Sequence, residues 1–216
     1  MPLTESHLDL IRRHKSSYRD GLTSQEASER RTDGLNTVNP PINCPKWVCC
    51  LLPCISHIPS MKQFRLVLPE DAEVLRNKKY IRYDAASLVV GDIVRLVEGD
   101  IVPADVVVLS LGMEHIDDAE LGKTTDLDMT VDYLLVTGQT KPRIISSESA
   151  DLTTLYYGSR VLEGACIALV VSTGKQVLLA RLIQDGRWPP KGDISEEIEA
   201  EESARDEEGI SLMSMM

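Results

Sequence analysis

The densest group of chemically capable side chains in this 216-residue sequence is Cys44, Cys49, Cys50 and Cys54, followed by His57. Thiolates and imidazole are zinc ligands, and a structural zinc takes about four of them in tetrahedral reach. The spacing lacks the paired Cys-x-x-Cys pattern, and Pro45 and Pro53 stiffen the segment. The interleaved Trp47, Val48, Leu51, Leu52 and Ile55 support two other readings: a segment lying on a membrane surface through acylated cysteines, and an apolar patch packed on the domain. No metal and no cofactor is expected, and these cysteines are the residues that would hold a metal. Asp92, Asp100 and Asp105 each follow Gly or Ala beside an expected strand, which points to turn hydrogen bonding. His7, His14, His57 and His115 have no partner at catalytic spacing, and no Ser sits in a Gly-x-Ser-x-Gly elbow. Gly122-Lys123-Thr124 is not a phosphate loop, because Asp117 stands where the first glycine belongs.

The elements around these groups fall into three stretches. Residues 1–60 read as a helical N-terminal region with a Cys-rich linker. A helix is expected over residues 5–15, with Leu8 and Ile11 on one face. A second is opened by Thr23 with Glu26 at capping-box spacing and stopped at Gly34. Asn39-Pro40-Pro41 forces an extended exit. Residues 61–185 read as β-rich. A hairpin is expected with its turn at residues 77–79, then a strand over residues 91–96 and a fully buried one over 106–109. Two further strands over 158–162 and 165–171 are joined at Glu163-Gly164, and a short helix over 177–183 closes the domain. Many short strands between glycine turns argue for a sandwich or barrel-like sheet. Residues 186–216 are acidic and are expected to be a disordered tail, with nine acids and one base from Asp193 onward. The net charge of −11 disfavours a nucleic-acid partner. No apolar run approaches the ~20 residues of a membrane-spanning helix, and the polar, acidic start is no secretory signal, so the cytoplasm is the expected compartment.

Two stretches carry a family resemblance. In Leu88-Val89-Val90-Gly91-Asp92-Ile93-Val94-Arg95-Leu96-Val97-Glu98-Gly99-Asp100-Ile101-Val102-Pro103-Ala104-Asp105, two Gly-Asp turns flank a strand and Pro-Ala-Asp follows. This resembles the actuator domain of P-type cation-transporting ATPases. Val131-Asp132-Tyr133-Leu134-Leu135-Val136-Thr137-Gly138-Gln139-Thr140-Lys141-Pro142 resembles the loop that family writes Thr-Gly-Glu-Ser, with Gln139 in place of Glu and Thr140 in place of Ser. Tyr157-Gly158-Ser159 through Gly164 and Ser172-Thr173-Gly174-Lys175 are similar to the family's closing hairpin and Thr-Gly step. The resemblance implies a mainly β (α+β) fold, a distorted jelly roll with a helical N-terminal extension.

The resemblance also implies a mechanism. In the family the loop swings onto a phosphorylated aspartate of another domain, and its Glu activates the attacking water. A neutral amide cannot take up that proton, although it can still position a water. No catalytic residue is therefore expected, and Thr137, Gly138, Gln139 and Thr140 are expected to form a docking loop. The other reading of these four residues is a plain turn that keeps Gly138 for its backbone angles. The sequence contains no Asp-Lys-Thr-Gly motif and no paired transmembrane helices, so it is not expected to transport ions alone. The expected partner is a P-type ATPase or its phosphorylation domain. Two alternatives stand beside this: a cytoplasmic fragment of a pump whose other domains lie elsewhere, and an interaction module tethered to a membrane surface through residues 44–54.

Overall fold

The computed structural model describes residues 3–42, 58–112, 128–146 and 152–214. The Cys-rich residues 44–57, His115 and the Gly122-Lys123-Thr124 tripeptide, with the readings placed on them, lie outside the described residues. Among the described residues no helix is long and apolar enough to cross a membrane.

Local sequence explains the first elements. Helix α1 (Glu5–Arg13) begins at Thr4, whose hydroxyl faces the His7 backbone N–H while the His7 ring Nδ1 accepts the Thr4 N–H at 3.2 Å. Helix α2 (Ser24–Arg30) has the expected reciprocal cap: Glu26 N–H donates to the Thr23 hydroxyl at 3.1 Å, and Thr23 N–H donates to the Glu26 carboxylate at 2.7 Å. A 3₁₀ turn (Arg31–Asp33) then runs into Gly34, whose φ of 127° only glycine adopts readily. Helix α3 (Pro59–Leu66) places proline in its first turn, where no N–H is needed.

Strands β1 (Asp71–Arg76) and β2 (Lys79–Asp84) form the expected hairpin. Asn77 and Lys78 both have positive φ, 50° and 67°, as the tight two-residue hairpin turn requires. Strands β3 (Ile93–Val97), β4 (Asp105–Leu111), β7 (Thr154–Leu155) and β9 (Ala165–Ser172) complete an antiparallel sheet in the order β2-β1-β3-β9-β4-β7. A second antiparallel sheet has the order β6-β5-β8, from β5 (Met129–Asp132), β6 (Arg143–Ile145) and β8 (Arg160–Glu163). The fold is mainly β with helices, as expected, and the described strands make two packed sheets rather than a closed barrel. One pairing differs from expectation. β8 and β9 are not a hairpin: the turn at Gly164 hands the chain from the small sheet, where β8 pairs with β5, to the large one, where β9 pairs with β3 and β4.

The alternation of side chains along a strand divides the core into two layers. Cys166, Ala168 and Val170 of β9 face the main core, with Met129, Val131 and Val161 of the small sheet, Phe64 of α3, and Leu178, Leu179 and Leu182 of α5 (Leu178–Gln184). Ile167 and Leu169 face the other way and meet Leu75, Ile93, Leu109 and Ile11 of α1. Helix α1 thereby covers the far side of the large sheet, which is why β4 is buried along its whole length.

The C-terminal stretch, expected to be disordered, contains a helix, α6 (Ser195–Ser214). Asp193 caps it, accepting the Ser195 backbone N–H at 3.0 Å and the Ser195 hydroxyl at 2.6 Å. These bonds hold the Asp193 carboxyl below the usual carboxylate range. Composition suggested a solvated tail because its acids have no local partners. The partners are arginines distant in sequence, and Ile198 supplies a buried anchor.

Candidate functional site

The loop of residues 137–140 grows from the end of β5. The Asp132 carboxylate accepts the Leu134 N–H at 2.9 Å and starts a single helical turn, α4 (Leu134–Thr137). The turn stops at Gly138 in the left-handed region (φ 80°, ψ 4°), and the Gly138 N–H donates back to the Leu134 carbonyl at 3.1 Å. Thr137 is buried, and its hydroxyl donates to the Tyr133 carbonyl and accepts the Gln139 N–H, both at 3.4 Å. Thr137 is thus an internal brace of the loop. Gln139 is half-buried and Thr140 is exposed. Gln139 is not inside a sheet: it lines a narrow cleft with Tyr133, Thr137, Arg143 and Tyr156 on one side and Ser195, Ile198 and Glu199 of the C-terminal helix on the other.

The C-terminal segment lies across this loop. The Ile194 N–H donates to the Thr137 carbonyl at 2.9 Å, and the Trp188 indole N–H donates to the Leu135 carbonyl at 2.8 Å. A Cβ on Gly138 would come within 2.1 Å of the Gly192 carbonyl oxygen, so only glycine permits this approach. Trp188 is buried, edge-on to Phe64 at a centroid distance of 6.0 Å, and Ile198 is buried too. Arg143 pairs with Glu199 at 2.8 Å, Arg181 with Glu202 at 2.8 Å, and Arg187 with Glu197 at 3.1 Å and Glu201 at 2.8 Å. Burying Ile198 is worth roughly 1.5–3 kcal/mol, and Trp188 buries still more apolar area. The ion pairs are part-exposed and contribute at most ~1 kcal/mol each. The apolar anchors therefore hold the segment down, and the ion pairs set its register.

The three aspartates do not come together; each serves the scaffold separately. Asp100 accepts the Val97 N–H at 2.9 Å, a local turn bond of the expected kind. Asp92 accepts the Val89 N–H at 2.9 Å and also forms a buried, bidentate ion pair with Arg76, at 2.9 and 2.5 Å. Asp105 differs from the expectation of turn bonding. Its carboxylate ties two distant segments, accepting the Tyr157 N–H at 2.8 Å and the Leu178 N–H at 2.7 Å. Burial pushes the Asp105 pKa up to about 7, and nearby Glu202 adds to the rise, against the opposing effect of the two N–H donors and Arg181. The same burial, with Glu202 beside it, raises the Tyr156 hydroxyl. Cys166 is buried and its thiol is pushed up to about 12, which makes it a packing residue rather than a nucleophile.

Asn36 carries weight that sequence reading does not reveal. Its amide donates to the Ala85 carbonyl at 2.9 Å and the Pro103 carbonyl at 2.7 Å, and its oxygen accepts the Gly174 N–H at 2.9 Å. It fastens the N-terminal region to both the Pro103 turn and the Thr173-Gly174 step. Arg30 does similar work, donating to the carbonyls of His14, Lys15 and Val90. No local spacing signals either residue, because every partner is more than ten positions away.

Such a molecule is a two-sheet scaffold that presents a short polar loop at the end of a single helical turn. Comparison with known proteins agrees with that description. The model of the P-type ATPase actuator domain matches residues 66–186. Among relatives, the potassium-transporting ATPase alpha chain 2 of Homo sapiens is 29% identical over 147 residues, covering 64% of this chain and 13% of the human protein. The same chain of Oryctolagus cuniculus is 30% identical over 149 residues, covering 64% and 12%. The sodium/potassium-transporting ATPase subunit alpha-2 of Gallus gallus is 28% identical over 141 residues, covering 60% and 12%. A crystal structure of a zinc-transporting PIB-type ATPase in the E2.Pi state is similar with a TM-score of 0.43 and 20% identity, over 57% of this chain and 17% of that one. The chain belongs to the P-type ATPase actuator domain family. It spans about one eighth of the length of the curated relatives it matches.

Proposed function

We propose that this protein is a non-transporting actuator module that docks the loop of residues 137–140 onto the phosphorylation domain of a P-type ATPase without supplying a general base. The observation that carries this reading is Gln139. It stands in the family's Glu position, at the lip of a cleft, on a loop otherwise braced as a loop should be for presentation. An amide keeps the length and one acceptor of a carboxylate but cannot accept a proton at neutral pH. The module works in the cytoplasm at the inner face of a membrane, where a pump's phosphorylation domain is found, and residues 44–54 would touch that surface. A second reading follows from the small share of the relatives that the chain spans: it is the actuator part of a pump whose remaining domains are encoded elsewhere. An adjoining reading frame with Asp-Lys-Thr-Gly and transmembrane helices would select that reading.

The test is binding of the full chain, followed by calorimetry, to the isolated phosphorylation domain of a potassium-transporting ATPase. That domain is loaded or not with beryllium fluoride as the phosphate stand-in. Docking predicts binding at least about tenfold tighter to the loaded domain, lost in Thr140→Glu, which sets a like charge against the phosphate stand-in from an exposed position. Equal affinity for both forms would reject it.

A further inference from the structure

We propose that the acidic C-terminal segment is an intramolecular cover for the loop of residues 137–140, a strap that must swing away before the loop can meet a phosphorylated domain. This inference rests on the docking function proposed above and adds its regulation. The cover is made of specific contacts with the loop and its supporting turn. The Ile194 N–H and the Trp188 indole N–H both donate to carbonyls of α4, the turn that carries the loop. The Gly192 carbonyl lies against Gly138 so closely that no side chain fits between them. Ile198 closes the cleft beside Gln139. A second protein domain cannot occupy the same ground while these contacts persist.

Charge explains why this strap is acidic. The loop's proposed partner carries a phosphoryl anion. Arg143, in the same cleft as Gln139, is paired with Glu199 of the strap at 2.8 Å. A carboxylate therefore already occupies the cation that shares the cleft with Gln139, and strap and phosphorylated partner compete for one site of one sign. Of the remaining pairs, Arg181–Glu202 lies on the Glu199 side of the buried Ile198, and Arg187 with Glu197 and Glu201 lies on its other side. Release thus means freeing two apolar anchors, Trp188 and Ile198, and an electrostatic zipper, with the sheets left intact.

The experiment uses the full chain and reads hydrogen exchange by NMR at the Ile194 amide and the Trp188 indole N–H. Two independent release variants are compared with the parent: Ile198→Asp, and the ion-pair residues Glu199→Lys with Glu201→Lys, both exposed. The Val170 amide, bonded to the Asp92 carbonyl at 2.9 Å within the sheet, reports whether the fold is retained. A closed strap predicts slow exchange at both N–H groups in the parent and at least about tenfold faster exchange in the variants, with Val170 unchanged. Affinity for the beryllium fluoride-loaded phosphorylation domain should then rise about tenfold on release, as it must when the competent state is a minor one. Free-chain exchange rates at Ile194 and Trp188 in the parent would overturn the cover while leaving docking intact. Faster exchange with no gain over a measurable parental affinity would show that the cover masks nothing. Binding by neither form would reject docking itself, and with it the reason for a mask.

Discussion

At the scale of single residues, two side chains decide what this domain can do. In the proposed function, Gln139 takes away the general base and keeps the shape, which would separate recognition from chemistry at one position. Asp105 decides how the domain responds to pH. Its carboxyl is ordinary in the unfolded chain, near 3.8, and is raised to about 7 when buried in the native state. The native state then binds more protons than the unfolded one between these values, so stability falls as pH rises through the window. That contribution is full below about pH 4 and gone once pH passes the folded value. Asp105→Asn should flatten this dependence. It should also cost roughly 1–3 kcal/mol, because the Asn carries one acceptor where the Tyr157 and Leu178 N–H groups need two. Urea midpoints across pH 4–8 for both proteins check this; parallel curves would refute the raised carboxyl.

At the scale of elements, the same glycine is both a helix stop and a seat for the strap. Gly138 and Gly99 both have positive φ, 80° and 92°, but a Cβ on Gly99 meets nothing within 4 Å, whereas one on Gly138 meets the Gly192 carbonyl. Gly99→Ala should therefore show backbone strain alone, about 1–2 kcal/mol. Gly138→Ala should lose more and should free the Ile194 amide as well. Thermal midpoints separate the two: a drop of about 2–8 °C for Gly99→Ala and a larger one for Gly138→Ala. Equal drops would mean that the strap does not rest on the loop. What sequence made legible at this scale is what local chemistry encodes: the Thr23–Glu26 cap, the Asn77-Lys78 turn, the buried run of β4 and the glycine after the Thr137 turn. What it concealed depends on partners far along the chain. Asn36 and Asp105 bind backbone groups that have no sequence signature, and β8 and β9 look like a hairpin because the turn between two sheets uses the same Glu-Gly chemistry as a turn within one. The C-terminal helix was hidden for the same reason. Ile194 and Ile198, four apart, are a weak apolar signal among acids whose arginine partners are Arg143, Arg181 and Arg187.

At the scale of the whole molecule, the sheets hold a loop in place and the C-terminal segment decides whether anything can reach it. The uneven charge has a structural meaning: four of the five acids within residues 196–202, Glu197, Glu199, Glu201 and Glu202, pair with Arg143, Arg181 and Arg187 rather than being dispersed in solvent. The N-terminal region is fastened to the large sheet through Ile11 and to the surrounding turns through Arg30 and Asn36. The central claim is that docking survives here while water activation does not. Decay of the aspartyl-phosphate in a potassium pump tests it most directly, with the pump's actuator domain replaced by residues 66–186 of this chain, which exclude the strap. The account predicts slow decay with Gln139 and recovery by about 10²–10⁴-fold in Gln139→Glu, the range of a restored general base. Equal decay in the two chimeras, fast or slow, would contradict it.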